Sequence, residues 1–409
     1  MPGRIYPRER YLEKIRPFYK SDVIKVITGI RRCGKSFLLL SVIEELETSG
    51  VAPKDIIYLN LDKRGFRSVK TPERLEAEIG ACLADDDFKY IFIDEVQNVK
   101  GFEEVINSFR EDGNRSIFIT GSNSYLLSGE LVTKLTGRYI EVDMFTLSFA
   151  EYLGMKAFLG KKTADINHEF NEYLTYGGFP QSLEFDDAES KATYIESIIR
   201  QIFEKDIKGR RKIRNRDVFD RVMAYLVNNF GAPTSLAGIV EYFKNVERIN
   251  IKRETLASYI RLLENAKVIY KCPRFDMKSR KSLRSEEKYY LADLGIYFAR
   301  NTDTRVNLGP ALENILFVHM KTLGYTVSVG RIGKLECDFV IRKREDYFYI
   351  QVSMTIADKS VEDREYRPFS FVRDNYPQYL FTLDPLLQKR DGVTHLNLLS
   401  FLKDDKELS

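Results

Sequence analysis

Five short runs rich in β-branched and aromatic residues punctuate the first 145 positions. They are VIKVITG (Val23 to Gly29), IIYLNLD (Ile56 to Asp62), YIFIDE (Tyr90 to Glu95), SIFITGS (Ser116 to Ser122) and YIEVDMF (Tyr139 to Phe145). Each reads as a strand, and helical segments separate them, SFLLLSVIEELE (Ser36 to Glu47) being the clearest. Strands alternating with helices imply a parallel, doubly wound α/β sheet over residues 1–150. Residues 151–214 read as helices, a lid and a connector. From Asp217 the pattern changes again. DVFDRVMAYLVNNF, SLAGIVEYFK and RETLASYIRLLENAK read as three helices; Ser235 is a good N-cap, and Leu256, Ile260 and Leu263 share one face. Two strand-like runs follow, VIYKCPRFD and KYYLAD, around the basic stretch Lys278 to Arg284. Three helices and a hairpin with a basic tip describe a winged helix over 215–300. Residues 301–409 carry a helix with Glu313, then the strands ECDFVI and YFYIQVS.

The first strand runs directly into GIRRCGKS (Gly29 to Ser36) and then into a helix. Strand, GxxxxGK[ST] loop and helix in that order form a phosphate cradle, because loop amides and the helix N-terminus face the anion. Gly29, Ile30, Arg31, Arg32, Cys33, Gly34, Lys35, Ser36 and Phe37 are the expected ATP contacts. Lys35 would reach the β- and γ-phosphates, and Ser36 would ligate Mg²⁺. The third strand ends in Asp94 and Glu95. Asp94 would hold the magnesium through water, and Glu95 would polarise the attacking water. Taken alone, that pair could be a solvated acidic turn. The fourth strand ends in Gly121-Ser122-Asn123-Ser124, where Asn123 or Ser122 would sense the γ-phosphate, or else an Asx turn would cap the next helix. Arg31 and Arg32 either point into solvent, or one of them adds charge at the nucleotide or pairs with an acid in the adjacent subunit. Cys33 is a candidate thiol-sensitive group. The segment Ile5 to Tyr11 precedes the first strand, and Arg8 and Tyr11 are candidates to flank the base.

Composition changes this picture little. The 409 residues suggest two to four domains. Lys and Arg number 64 against 60 Asp and Glu, so a nucleic-acid surface would have to be local. The four cysteines, Cys33, Cys82, Cys272 and Cys337, show no CxxC spacing, which argues against a zinc site and for a reducing compartment. No apolar signal core and no run of eighteen apolar residues is present, so a cytoplasmic protein without a membrane partner is expected.

Arg138 stands immediately before the fifth strand, in LTGRYIEV. Here the chain resembles the AAA+ ATPases, in which an arginine at this place often reaches into the neighbouring subunit's ATP. The resemblance implies a homo-oligomer, a ring or a dimer, with Arg138 stabilising the charge of phosphoryl transfer. IDEVQNV, YGGFPQSL (Tyr176 to Leu183), IFEKDI (Ile202 to Ile207) and ALENILFVHMKTLGY…ECDFVI narrow the resemblance. Together they look like one prokaryotic AAA+ family whose C-terminal domain resembles a restriction-endonuclease fold.

The winged-helix reading makes DNA the expected partner. Lys252, Arg253 and Arg261 would lie on or near the third helix, and Lys278, Arg280, Lys281 and Arg284 at the hairpin tip. A protein partner is the alternative use of the same shape. Nucleases of the PD-(D/E)xK type place one acid on a strand and acid-x-Lys on the next. Glu313, Glu336 and Asp338 fit, but Gln351 and Ser353 stand where Glu and Lys are needed, so an inactive domain is expected. The sequence thus supports a Mg²⁺-dependent ATPase acting on DNA, a signalling ATPase that binds protein, or, third, an ATP-regulated nuclease.

Overall fold

A computed structural model describes the chain except residues 1–4, 84–85, 122–136, 209–212, 214, 302–306 and 409, and the side chains of 282–286. The chain divides into two compact units, residues 1–145 with 265–267, and residues 146–264 with 268–409.

The first unit is built on five strands: β1 (Ile24–Thr28), β2 (Ile56–Asn60), β3 (Lys89–Asp94), β4 (Arg115–Gly121) and β5 (Tyr139–Asp143). They pair in parallel in the order β2-β3-β4-β1-β5, so β1 and its following loop sit between β4 and β5. Every residue of β1 and β3 is buried, as a sheet covered on both faces requires. Val26, Ile91, Ile93 and Ile119 share a core with Leu75, Val105, Ile106 and Phe109 from the helices Pro72–Gly80 and Phe102–Glu111. The alternate side chains supply the other face, where Phe92 stacks on Phe118 at 4.5 Å. Lys25, buried in β1, is satisfied by Ser21 O at 2.9 Å and Ser116 Oγ at 2.8 Å.

The second unit begins with the helices Phe149–Phe158, Ile166–Tyr176 and Ala188–Gln201, the last continuing into a π-helical turn at Ile202–Ile207. Helices Arg216–Asn228, Leu236–Asn245 and Arg253–Asn265 follow, with the Ser235 hydroxyl accepting the Gly238 N–H as expected of its cap. The remaining strands are β6 (Ile269–Asp276), β7 (Lys281–Leu291), β8 (Thr326–Ile332), β9 (Leu335–Lys343), β10 (Asp346–Val352), β11 (Gln378–Thr382), β12 (Lys389–Arg390) and β13 (Val393–Asn397). They form one mixed eight-stranded sheet, ordered β12-β13-β11-β10-β9-β8-β6-β7.

That sheet revises the domain expectation. The hairpin β6-β7 is the edge of the C-terminal sheet, because Arg274–Asp276 pair in parallel with Val329–Arg331 of β8. A boundary at residue 300 therefore divides one sheet rather than two cores. The hairpin is also longer than expected. Pairing runs to Asp276 opposite Lys281, with a register shift around Pro273, whose missing N–H cannot serve the ladder. The tip shrinks to 277–280, and Lys281 and Arg284 lie within β7. No helix among the described residues is long and apolar enough to cross a membrane.

YGGFP is structural. Gly178 N–H donates to Asp293 Oδ2 at 2.8 Å and Gly295 N–H to Oδ1 at 2.8 Å. A Cβ on Gly177 would fall 1.6 Å from Asp293 Oδ1. Burial pushes the Asp293 carboxyl up to about 6, against the pull of those amides. The folded chain therefore holds a proton here that the unfolded chain releases, and this contribution to stability is lost as pH rises from about 4 to 6. A shift of about two pH units corresponds to about 3 kcal/mol. Denaturant midpoints of Asp293→Asn should lack this slope, so wild-type stability relative to the variant should fall across that window. Parallel curves would show that Asp293 titrates normally.

Candidate functional site

The loop after β1 is held open by backbone geometry. Gly29 has φ 151°, and a Cβ there would meet Met144 O at 2.1 Å and Cys33 Sγ at 2.9 Å. Gly34, at φ 110°, caps the helix Lys35–Thr48 without any side-chain cap, which leaves the helix N-terminal amides for an anion. The Lys35 ammonium donates to Gly29 O at 3.0 Å and Ile30 O at 3.1 Å and is buried within the loop. Uncapped amides, a close glycine backbone and an enclosed ammonium fit a polyphosphate. Ser36 lies on the first turn beside Lys35, while the Phe37 side chain is 55% exposed.

The two arginines separate. Arg32 is exposed and left-handed, at φ 69°. Arg31 is buried and lies 4.0 Å from Asp62 Oδ2, so for it the solvent reading is wrong. Arg8 and Tyr11 are also buried, which corrects the base-flanking expectation. Arg8 donates to Cys33 O and Phe145 O at 3.3 Å each, and Tyr11 Oη accepts the Phe145 N–H at 3.0 Å. Both brace the loop against the chain after β5. Cys33 is fully buried, and burial pushes its thiol up, so the thiol-sensitive reading fails as well.

The acids at the end of β3 are fixed by neighbours that the sequence reading missed. Asp94 is fully buried, and three side chains serve its carboxylate: Asn60 at 2.7 Å and Tyr58 at 3.3 Å on Oδ2, and Thr120 at 2.5 Å on Oδ1. Parallel pairing puts Asn60 directly opposite Asp94. Glu95 adopts φ 59°, unusual outside glycine, and its N–H donates to Thr120 Oγ1 at 3.0 Å. Its carboxylate accepts from Gln97 Nε2. Burial raises the Glu95 pKa, opposed by Lys35 and Arg31. Thr120 thus aims both acids with one hydroxyl, and its only sequence signal is a polar residue at the end of an apolar strand. Thr120→Val keeps the shape and removes both bonds. Steady-state ATP turnover should fall about 10–100-fold, as loss of an outer-shell partner does elsewhere. Wild-type turnover in that variant would strip Thr120 of the role.

Asn123 and Ser122 lie outside the described residues. Arg138 is half-exposed, and its guanidinium donates to Asn107 Oδ1 at 3.0 Å and Glu111 Oε1 at 3.1 Å. Lys252, Arg253 and Arg261 are exposed on or beside the helix Arg253–Asn265, and Lys278, Arg280 and Lys281 are exposed around the hairpin turn. Arg280 is not free for phosphate, since it pairs with Asp374 at 3.2 Å and lies over the Tyr376 ring. The Arg284 side chain is outside the described residues.

Glu313, Glu336, Asp338, Gln351 and Ser353 do come together, lining one cavity of about 970 Å³. Gln351 Oε1 accepts the Asp338 N–H at 2.7 Å, and its Nε2 donates to Glu365 at 3.0 Å. Lys288 of β7, absent from the sequence reading, reaches the same acids, 3.0 Å from Glu313 and 2.9 Å from Glu336.

A parallel five-stranded sheet, a glycine-bounded lysine loop after β1 and a paired acid at the end of β3 define a P-loop AAA ATPase. Residues 21–153 match the AAA domain family, and residues 167–305 match a domain of unknown function. The chain belongs to the family of an uncharacterized protein of Haemophilus influenzae, with 34% identity over 93% of this chain and 94% of that protein. An uncharacterized protein of Methanocaldococcus jannaschii is 29% identical, over 78% of this chain and 72% of its own. The Walker-type ATPase of Pyrococcus abyssi shares the fold, with TM-score 0.50 and 16% identity, covering 72% of this chain and 95% of that one.

Proposed function

We propose that this protein hydrolyses ATP as a Mg²⁺-dependent AAA+ oligomer and uses the cycle to act on DNA. The joint fixing of Asp94 and Glu95 by Thr120 carries the hydrolysis half of this reading. Lys35, released from the loop carbonyls, would bind the β- and γ-phosphates. Mg²⁺, held by Ser36 and through water by Asp94, would offset their charge. The Glu95 carboxylate takes the proton of water as its oxygen adds to the γ-phosphorus and the β–γ bridging oxygen leaves with ADP. Arg138 would leave Asn107 and Glu111 to reach a neighbouring subunit's nucleotide, completing the site in trans. Asn123 remains the proposed γ-phosphate sensor.

The exposed cations Lys252, Arg253, Arg261, Lys278 and Lys281 support DNA as the substrate. One observation favours a protein partner instead: the hairpin is paired into the C-terminal sheet, and Arg280 is already neutralised by Asp374. ATP turnover with and without single- and double-stranded DNA separates the two, with Glu95→Gln as the blank. DNA should stimulate turnover, and Lys252→Ala/Arg253→Ala/Arg261→Ala should abolish the stimulation, flatten its salt dependence and leave basal turnover intact. Turnover indifferent to DNA would move the assignment to the protein-binding switch. The C-terminal cavity is read as a retained nuclease-like site without cleavage activity.

A further inference from the structure

We propose that Lys288 is a tethered cation, occupying among Glu313, Glu336 and Asp338 the position that a divalent ion would take in a working phosphodiesterase. The proposal rests on reading the C-terminal cavity as nuclease-like but inactive, and it supplies a physical reason for the inactivity.

The nuclease-like motif departs from its pattern at Gln351 and Ser353, which together remove one acid and one lysine and leave Glu313, Glu336 and Asp338 in the cavity wall. Three carboxylates from two elements, Glu313 on the helix Leu308–Thr322 and Glu336 and Asp338 on β9, face one cavity. The motif lysine that would offset them is a serine. The structure answers from a different strand. Lys288, on β7, is almost wholly buried and lies 3.0 Å from Glu313 Oε2 and 2.9 Å from Glu336 Oε1. Burial opposes its charge, but Glu313, Asp338 and Glu336 outweigh it and hold the ammonium protonated. Such a position is open to Lys288 only because β6-β7 belongs to the same sheet as β9 and β10.

The other motif positions are closed from within. Tyr290, two residues on along β7, donates to Glu313 Oε2 at 2.9 Å. The Val352 N–H donates to Asp338 Oδ2 at 2.8 Å. Gln351 gives its oxygen to the Asp338 amide and its nitrogen to Glu365. Ser353 Oγ donates to Thr355 O at 3.2 Å. Among the described residues, no group of three or more His, Cys, Asp or Glu side chains is set to hold a metal ion. A lysine ammonium offsets carboxylate charge as a cation does, but it is fixed to the chain and carries no exchangeable water, so it cannot deliver the nucleophile that a bound Mg²⁺ would. Glu313 and Glu336 keep a fixed counter-charge, and the domain loses the chemistry.

The test uses the full-length, nucleotide-free protein and Mn²⁺ as the probe, followed by titration calorimetry and by the thermal midpoint. The wild type should take up no Mn²⁺ at the cavity, and its midpoint should be the same in Mn²⁺ and in chelator. Lys288→Met removes the charge and keeps the length. It should melt lower in chelator, recover in Mn²⁺, and bind the ion at least about tenfold more tightly than wild type, since two carboxylates then lack their cation. Lys288→Met/Asp338→Asn should lose that gain. Lys288→Gln, which retains a donor, serves the same purpose if Lys288→Met does not fold. Uptake of Mn²⁺ by the wild type that Asp338→Asn removes would overturn the proposal, as would folded Lys288→Met or Lys288→Gln without any gain. Plasmid cleavage by the wild type in Mn²⁺, lost in Asp338→Asn, would overturn the inactive reading as well, whereas uptake without cleavage would overturn the tethered cation alone.

Discussion

Glu95→Gln is expected to bind ATP normally and to lower turnover about 10²–10⁴-fold, the range for loss of a positioned general base. The substitution is nearly isosteric. Glutamine can keep a bond to Gln97, and the backbone bond from residue 95 to Thr120 does not involve the side chain. What disappears is the carboxylate that accepts the proton of water. Burial raises the Glu95 pKa, so the acid limb of the wild-type kcat/KM profile should sit above the ordinary carboxylate range. Activity should fall as pH drops through that limb, because only the ionised base works. Lys35→Ala should lose nucleotide binding along with turnover, which distinguishes a cradle defect from a base defect. A Glu95→Gln enzyme within about tenfold of wild type would remove Glu95 from the reaction.

Gly29→Ala should fail in a different way, by unfolding. The added methyl would lie 2.1 Å from the Met144 carbonyl oxygen, a backbone atom that cannot rotate aside. The Met144 N–H is itself bonded to Thr28 O at 2.8 Å, so the strand beside the loop cannot retreat without breaking the β1–β5 pairing. The φ of 151° adds strain for any residue with a Cβ. Overpacking alone costs about 1–3 kcal/mol, and the rigid partner and backbone strain put this variant at or above the upper end. A denaturant titration reads the loss directly, and ATP should no longer raise the midpoint. A variant of wild-type stability that binds ATP would show that the loop tolerates a different backbone here.

The nucleotide site was legible because its chemistry is local. GIRRCGKS and IDE each combine a strand, a turn and reactive side chains within ten residues, and hydrophobic runs on either side disclose the strands. Thr120 and Asn60 were not legible. Each reaches Asp94 across a parallel pairing whose register no short pattern encodes. Arg31 was ambiguous for a related reason. A loop sequence does not say which of two adjacent arginines faces inward, and the left-handed turn at Arg32 decided it.

The second unit shows the limit more sharply. Strands β8, β11, β12 and β13 were not legible. The three helices, the hairpin and the strands β9 and β10 appear as amphipathic or alternating segments, since side-chain periodicity follows backbone geometry. Their assembly does not. Whether β6-β7 stands as a free wing or joins β8 depends on edge hydrogen bonds between residues more than fifty positions apart. The sequence by itself determined the five strands of the first unit, the phosphate loop, the acid pair and the departures at Gln351 and Ser353, because those depend on neighbours along the chain. Only the tertiary structure decided that Thr120 aims the acids, that Arg280 is paired with Asp374 and that Lys288 pairs with Glu313 and Glu336, because charge and hydrogen bonding act through distance in space.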